Sequence, residues 1–133
     1  MLFKVFTTWA LFIPVAIANG ITRDLVYKPW VGDLAAHQIS TIIAISAFIT
    51  LVYFLRKSDF KDMTGLRLFI IGLVWVFMTI IFEFGFGFYV DKIPFEKLLA
   101  DYNILKGRVW SLMLITELFT PIIVKVISRR VAR

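Results

Sequence analysis

The stretch LFIIGLVWVFMTIIFEFGFGFYV, residues 68–90, decides the fold class of this 133-residue chain. It contains a single charged residue, Glu83. At the helical rise of about 1.5 Å per residue it is long enough to cross a bilayer, which takes about 20 mostly apolar residues. The sequence therefore predicts a membrane-spanning helix with an acidic side chain inside an apolar segment.

Three further runs, residues 5–21, 36–55 and 109–127, are also mostly apolar and close to the length of a membrane span. The whole chain is 60% hydrophobic, whereas soluble domains contain about 45–50% apolar residues. A soluble domain of this size would leave much of four such runs exposed to water. We therefore predict one all-α domain over residues 1–133, an integral membrane four-helix bundle.

A short amphipathic segment, residues 94–106, separates the third and fourth runs. It begins with Pro94, a residue suited to the first turn of a helix, and Gly107 follows as a stop signal. Its apolar residues recur at helical spacing opposite charged ones, but the segment is too short to span a bilayer. We predict an amphipathic helix that lies at the membrane interface between the third and fourth spans.

The basic residues favour one orientation of the bundle. With four spans, the amino terminus, the loop between the second and third spans and the carboxyl tail lie on one side, which carries nine basic residues against six on the other. Short loops rich in Lys and Arg stay in the cytoplasm, so both termini are predicted to be cytoplasmic. The nine are Lys4, Arg56, Lys57, Lys61, Arg67, Lys125, Arg129, Arg130 and Arg133.

The first apolar run has a second interpretation as a cleaved secretory signal. Lys4 would supply the basic start, and residues 16–18, Ala-Ile-Ala, match a small-residue cleavage pattern. We favour a retained span in which Pro14 introduces a packing kink, since membrane bundles tolerate proline within a helix.

Two glutamates are expected at one depth in neighbouring helices. Glu83 lies seven residues before the end of the third run and Glu117 eight residues after the start of the fourth, which places both roughly 10–12 Å from the same membrane face. A carboxylate in hydrocarbon costs about 2.5–3.5 kcal/mol, so acids in spanning helices usually face the bundle interior and mark function. We predict a buried polar site with these candidate members: Glu83, Glu117, His37, Arg108, Thr79 and Thr120.

Small residues at helical spacing predict close contacts between helices, because lipid offers no hydrophobic drive for helix association. One such stripe lies in the second run, and two glycines share a helix face with Thr79 and Glu83 in the third. The predicted packing residues are Ala36, Ser40, Ala44, Ala47, Gly72 and Gly87.

The chain has no cysteine and one histidine, so we predict neither a metal site nor a cofactor. It carries no nucleophile–base motif and no phosphate-binding loop, so no catalytic residue is assigned. Membrane orientation explains the basic residues, and no nucleic-acid partner is expected. The expected partners are the lipid bilayer and either further copies of the chain or a larger membrane complex.

Three motifs resemble a group of small, uncharacterised four-helix membrane proteins of bacteria. They are EFGFG at residues 83–87, LLADYNILKGRVW at residues 98–110, and AHQ at residues 36–38 after a Pro-x-x-Gly turn. The resemblance covers the whole chain and implies an inner-membrane bundle, but it carries over no catalytic residue. The chain differs from small multidrug transporters, whose key glutamate lies in the first helix, because its own first helix has no acid.

Three functions follow from this pattern. A helix-packing subunit or interaction protein, in which the glutamates fix helix contacts, is the first expectation. The second is a proton- or cation-coupled small transporter, since two carboxylates at one depth suit a shared proton or a hard cation. A membrane-embedded enzyme comes last.

Overall fold

The computed structural model describes residues 1–90, 92–94, 96–97 and 110–132. Within this part of the chain the regular structure is entirely helical. Four helices are long and apolar enough to cross a membrane, which confirms the predicted all-α architecture with four such segments. The helices are α1 (Leu2–Thr22), α2 (Lys28–Val31), α3 (Asp33–Phe60), α4 (Gly65–Gly85) and α5 (Trp110–Val131), with π-helical turns at Arg23–Tyr27 and Phe86–Val90.

The residues between the first two apolar runs are almost wholly helical. The π-helical turn continues α1, and α2 follows with Pro29 in its first turn, where a missing backbone N–H costs nothing. The chain reverses at Gly32, which has a φ of 88°, a conformation that other residues adopt only with strain. The turn signals in the sequence mark this reversal, but the polar residues around it extend the helices.

The connection between α3 and α4 is also shorter than the polar residues indicate. Helix α3 continues to Phe60, and α4 begins at Gly65. The Thr64 hydroxyl caps α4 by accepting a hydrogen bond from the Arg67 backbone N–H at 3.3 Å. The predicted amphipathic helix falls largely on residues outside the described ranges, and so does Arg108.

Polar contacts fix the order of the helix ends. Lys4 in α1 forms an ion pair with Asp59 near the end of α3 at 3.1 Å, and Lys125 in α5 donates to the Met63 carbonyl in the α3–α4 turn. The first turn of α1, the α3–α4 turn and the last turns of α5 therefore lie at one end of the bundle, called here the terminal end. The opposite end, which holds the reversal at Gly32, is called the Gly32 end.

The helix neighbours follow from the side-to-side packing. Helix α5 packs against both α3 and α4, while α1 packs against α3 and touches α4. Helices α1 and α4 run from the terminal end to the Gly32 end, and α3 and α5 run the opposite way.

Aromatic side chains fill the core between the middle of the bundle and the terminal end. The ring of Phe48 in α3 meets Phe12 edge-on at 4.9 Å and Trp75 edge-on at 5.3 Å between ring centroids. Trp75 is fully buried, and its indole N–H donates to the Val5 carbonyl at 2.9 Å. Edge-on aromatic pairs add about 0.5–1.5 kcal/mol each beyond the area they bury. These contacts join α1, α3 and α4.

Small residues lie where helices approach most closely. A Cβ atom on Gly72 would fall 2.0 Å from the Leu118 carbonyl oxygen, so the backbones of α4 and α5 are in direct contact there. The small-residue stripe of α3 faces inward, with Ala36, Ser40 and Ala44 buried and Ala47 half-buried, and Gly87 is buried in the π-helical turn after α4.

Replacing Gly72 with alanine tests the contact between α4 and α5. The added methyl would overlap the Leu118 backbone, which cannot rotate away as a side chain can. We expect the free energy of unfolding, measured by reversible denaturation in detergent micelles, to fall by about 1–3 kcal/mol or more, the usual cost of overpacking.

The matched control for this substitution is Gly85→Ala at the end of the same helix. A Cβ atom at Gly85 would meet nothing within 4 Å. Alanine there should leave stability unchanged or raise it by up to about 1 kcal/mol, because it restricts the unfolded chain. Equal losses in the two variants would contradict the close approach at Gly72.

Candidate functional site

Glu117 lies in the middle of α5 and points into the bundle. It is 1% exposed and ranks among the largest fully buried side chains of the described structure. Met113, Thr120 and Val124 share its buried face at helical spacing, each with 0% exposure. The apolar periodicity of α5 therefore orients this carboxyl toward the other helices.

A chain of hydrogen bonds connects Glu117 to two neighbouring helices. The Thr79 hydroxyl in α4 donates to Glu117 Oε1 at 2.8 Å, and the Trp9 indole N–H in α1 donates to Thr79 Oγ1 at 2.9 Å. An indole nitrogen can only donate, and a hydroxyl has one hydrogen. The direction of the chain is therefore fixed, and Oε1 is the acceptor at its end.

The second carboxyl oxygen of Glu117 is placed differently. Oε2 is buried and has no hydrogen-bond partner among the residues that the structure describes. Buried polar atoms in native proteins almost always have a partner, and leaving one unpaired costs about 1–3 kcal/mol. A buried oxygen without a donor, such as Oε2, can accept a proton or coordinate a cation.

Pro121 makes a second oxygen of Glu117 available. In an α-helix the N–H of residue i bonds to the carbonyl of residue i−4, and proline has no N–H. Pro121 is buried inside α5, four residues after Glu117, so it cannot donate to the Glu117 backbone carbonyl. The same residue thus contributes an unpaired carboxyl oxygen and a carbonyl without its usual helical donor.

Glu83 lies beside this network on α4, one helical turn from Thr79 toward the Gly32 end. It is partly buried and within electrostatic reach of Glu117. The structure thus brings together three of the six residues predicted to form the site, Glu83, Glu117 and Thr79. A second, partly buried carboxyl group therefore lies one helical turn from the Thr79–Glu117 hydrogen bond.

Two other predicted members lie apart from the network. The buried Thr120 hydroxyl donates to the Thr116 carbonyl of its own helix at 2.5 Å, rather than to Glu117. His37 is paired with Asp33 at 3.6 Å in the first turns of α3. Arg108, the sixth candidate, lies outside the described residues.

The level of His37 along the bundle follows from hydrogen bonds between the helices. Asn19 of α1 bonds to Ser40 in α3, and Asn19 follows Trp9, which bonds to Thr79, by ten residues. His37 precedes Ser40 by three residues, which places it roughly 15 Å or more beyond the Trp9–Thr79 bond toward the Gly32 end.

Trp9 is a member of the site that the sequence pattern did not identify. Its ring is fixed edge-on against Phe82 at 6.0 Å and packs on Phe6 at 6.2 Å between centroids. A tryptophan within an apolar run carries one N–H that needs an acceptor when it is buried. That requirement was the available signal, but it does not say which helix supplies the acceptor.

The ligand count limits what the site can hold. In the described part of the chain no group of three or more His, Cys, Asp or Glu residues is arranged to hold a metal ion. Calcium takes six to eight oxygen ligands and magnesium six, counting bound water. A proton needs one carboxyl oxygen, which Oε2 provides.

No protein-family model, curated protein or solved structure matches this chain. A helical-bundle fold by itself does not imply a function, because the same fold carries many activities. The functional argument therefore rests on the geometry of the Glu117 site.

Replacing Thr79 with valine tests the hydrogen-bond chain while it conserves the shape of the side chain. The substitution removes the donor of Oε1 and the acceptor of the Trp9 N–H, both inside the bundle. We expect the free energy of unfolding to fall by about 1–2 kcal/mol, above the average of about 0.6 kcal/mol for one bond between membrane helices.

The matched control is Thr50→Val on the exposed side of α3, where the hydroxyl donates only to the Ser46 carbonyl of its own helix. It should leave the free energy of unfolding within about 0.5 kcal/mol of the parent. Combining Thr79→Val with Trp9→Phe should cost less than the sum of the two single changes, since both break the same chain. Strict additivity would show that the chain does not act as a unit.

Proposed function

We propose that this protein is a small multi-pass transporter of the bacterial inner membrane, coupled to a proton or a small cation. Glu117 is its binding group, and Glu83 is the neighbouring carboxyl. The observation that carries the proposal is the buried Oε2 oxygen of Glu117, which lacks a partner among the described residues while Oε1 is held by Thr79.

The outer surface of the helices supports placement in a bilayer. Large apolar side chains cover it, among them Ile42, Phe77 and Ile81, which are 64%, 63% and 71% exposed. Exposed hydroxyls are satisfied within their own helix, as in the bonds from Ser46 to the Ile42 carbonyl and from Thr50 to the Ser46 carbonyl. Such bonds are what a hydroxyl facing lipid requires.

The terminal end of the bundle supports the proposed orientation. Basic residues from α1, α3, the α3–α4 turn and α5 are collected there, and the Lys57 ammonium lies 5.1 Å from the centroid of the Tyr53 ring. Amphipathic rings lie at either membrane interface, and an excess of Lys and Arg favours the cytoplasmic one. We place both termini in the cytoplasm and the Gly32 end on the outer side.

A purely structural role would use the glutamate differently. A glutamate that only fixes helix contacts gains most when both oxygens accept hydrogen bonds, because burying a polar atom unpaired is costly. Here one oxygen is held and the other is open, and a second carboxyl lies within electrostatic reach. Two nearby carboxylates repel, and a bound proton or cation removes that repulsion.

A helix-packing subunit is the second candidate, and a surface groove favours it. The groove runs along α3 beside α1 and is almost wholly apolar, with Val15, Ile43, Leu51 and Phe54 among its lining residues. A helix of another subunit would bury this surface. In that case the protein would purify with a stoichiometric companion.

Glu117→Gln tests the transport proposal because it conserves shape and removes the titrating oxygen. In liposomes that contain the purified protein alone, we expect the parent to move protons or a cation-coupled solute and Glu117→Gln to lose that flux while it remains folded. Glu83→Gln should reduce the flux, and the double variant should be no worse than Glu117→Gln, since the two carboxyls act as one site. Asp62→Asn, at an exposed carboxylate in the α3–α4 turn, is the control and should keep full flux.

Two results would count against this function. Independent, additive losses from the two glutamate substitutions would mean that the pair is not one site. A protein that is inert in every flux assay, but always purifies with one membrane complex, would replace the transporter by the subunit.

Cysteine labelling tests the orientation, since the chain contains no native cysteine. Trp30 is 87% exposed near the Gly32 end, and Ser58 is exposed at the terminal end. In intact cells, an impermeant thiol reagent should label Trp30→Cys and leave Ser58→Cys unlabelled. Labelling of Ser58→Cys from outside would reverse the orientation.

A further inference from the structure

The interior of the bundle differs on the two sides of Glu117. Toward the terminal end its buried side chains include Val52, Leu68, Trp75 and Val124, all at 0% exposure. Val124 follows Glu117 by seven residues on the same face of α5, a distance of about 10 Å. The apolar layer is therefore thick enough to separate the carboxyl from that end.

The polar groups within and beyond this layer are already in use. The Trp75 N–H is bonded to the Val5 carbonyl. The buried Thr8 hydroxyl donates to the Lys4 carbonyl at 2.7 Å and accepts from Arg56 Nε at 2.8 Å. The buried Thr120 and Ser128 hydroxyls of α5 also lie on this side, and each donates to a carbonyl of its own helix. Among the described residues, none of these bonds joins the terminal end to Glu117.

Toward the Gly32 end, polar side chains recur from level to level. Glu83 lies one turn from Thr79, and further along the Asn19 amide donates to the carbonyl and hydroxyl oxygens of the buried Ser40 at 2.9 and 3.1 Å. The Tyr27 hydroxyl follows near the turn; it is buried and has no hydrogen-bond partner among the described residues. Apolar side chains are also present on this side, but they share it with groups that can hold water or pass a proton.

We propose that the ligand of Glu117 Oε2 is a proton, and that it reaches the site from the Gly32 end by way of Glu83. This inference rests on the proposed function and specifies its ligand and its route. The proton is favoured because Oε1 is committed to Thr79, which leaves Oε2 and Glu83 as the carboxyl ligands, too few for a dehydrated divalent cation. The transfer breaks an O–H bond of a hydronium ion or of protonated Glu83, which leaves water or the Glu83 carboxylate, and it forms an O–H bond at the Oε2 atom of the Glu117 carboxylate.

One-sided thiol protection tests the route in this cysteine-free chain. Glu83→Cys and Thr79→Cys place a thiol on the proposed path, and the threonine change nearly conserves volume, so it guards against misfolding. Val124→Cys is the interior control, a fully buried position on the opposite side of Glu117. Ag⁺ is applied to one face of oriented vesicles, and thiols that have not reacted are labelled with a maleimide after denaturation.

We expect Ag⁺ to react with Glu83→Cys and Thr79→Cys only from the face at which it reacts with Trp30→Cys, so that these thiols escape later maleimide labelling. The rate of their reaction with Ag⁺ should exceed the rate for Val124→Cys by at least about tenfold, because thiol reactivity requires access to solvent. Protection from the face that reaches Ser58→Cys, from both faces, or no faster than Val124→Cys would overturn the route.

Infrared spectroscopy of the carboxyl band tests the ligand without requiring transport. The band that disappears in Glu117→Gln is followed while pH, Na⁺, K⁺ and Mg²⁺ are varied separately. Glu83 on α4 is the titratable neighbour that acts on Glu117, while α1 contributes the non-titrating Trp9. A proton site responds to pH alone; a response to a metal cation at fixed pH would overturn the proposal. Failure of flux with a positive result in both experiments would reject transport and leave the proton site standing.

Discussion

The hydrogen bond from the Thr79 hydroxyl to Glu117 is the interaction on which the arrangement of the site depends. This bond joins α4 to α5, and the Thr79 hydroxyl oxygen also accepts a hydrogen bond from the Trp9 N–H of α1. One hydroxyl therefore connects three helices. Because both neighbours are polar groups inside an apolar bundle, moving any of the helices apart leaves a buried group unpaired. The bond can form only because Gly72, two turns earlier on α4, lets the backbone of α4 touch α5 at Leu118.

The terminal end stabilises this geometry by a different means. Asp59 accepts from Lys4 and from Arg56, and Arg56 also donates to the buried Thr8, so α1 and α3 are joined by charge-assisted bonds. The aromatic layer around Phe48 then continues inward from this cluster. Apolar packing and ion pairs together join the helices at this end, and the buried hydroxyls of Thr8, Thr120 and Ser128 on this side of Glu117 are bonded to carbonyls of their own helices.

The four helices could be predicted from the sequence because apolar length is a local property. The inward face of α5 and the close contact at Gly72 also follow from helical spacing, which assigns Glu117 and the small residues to one side of their helices. Spacing does not say which helices are neighbours. Spacing therefore identifies Thr79 only as one of several candidates, and it does not identify Trp9.

The helices extend beyond the apolar runs that predict them. Charged residues around Gly32 continue the helices, since a helix satisfies its own backbone and only its side chains need water. His37, a candidate member of the site, is paired with Asp33, one turn earlier on its own helix. A local partner was available, and the sequence gives no distance to a remote one.

Two prolines inside long helices, Pro14 and Pro121, lie near the hydrogen-bond chain of the site. Pro14 and Pro121 are the prolines inside long helices of the described chain, and each removes the hydrogen bond to a carbonyl four residues earlier. Those carbonyls belong to Ala10, next to Trp9, and to Glu117 itself. Both interruptions therefore lie at the level of the hydrogen-bond chain, in the two helices that meet Thr79 from either side. Helix α4, which carries Thr79, keeps an uninterrupted ladder. Bending at the prolines would change the distances from Trp9 and Glu117 to Thr79 without disturbing the aromatic layer beyond them. In the proposed transporter, uptake and release of a ligand at Glu117 would use this combination of a hydroxyl on an unbroken helix and two neighbouring helices that each contain a proline.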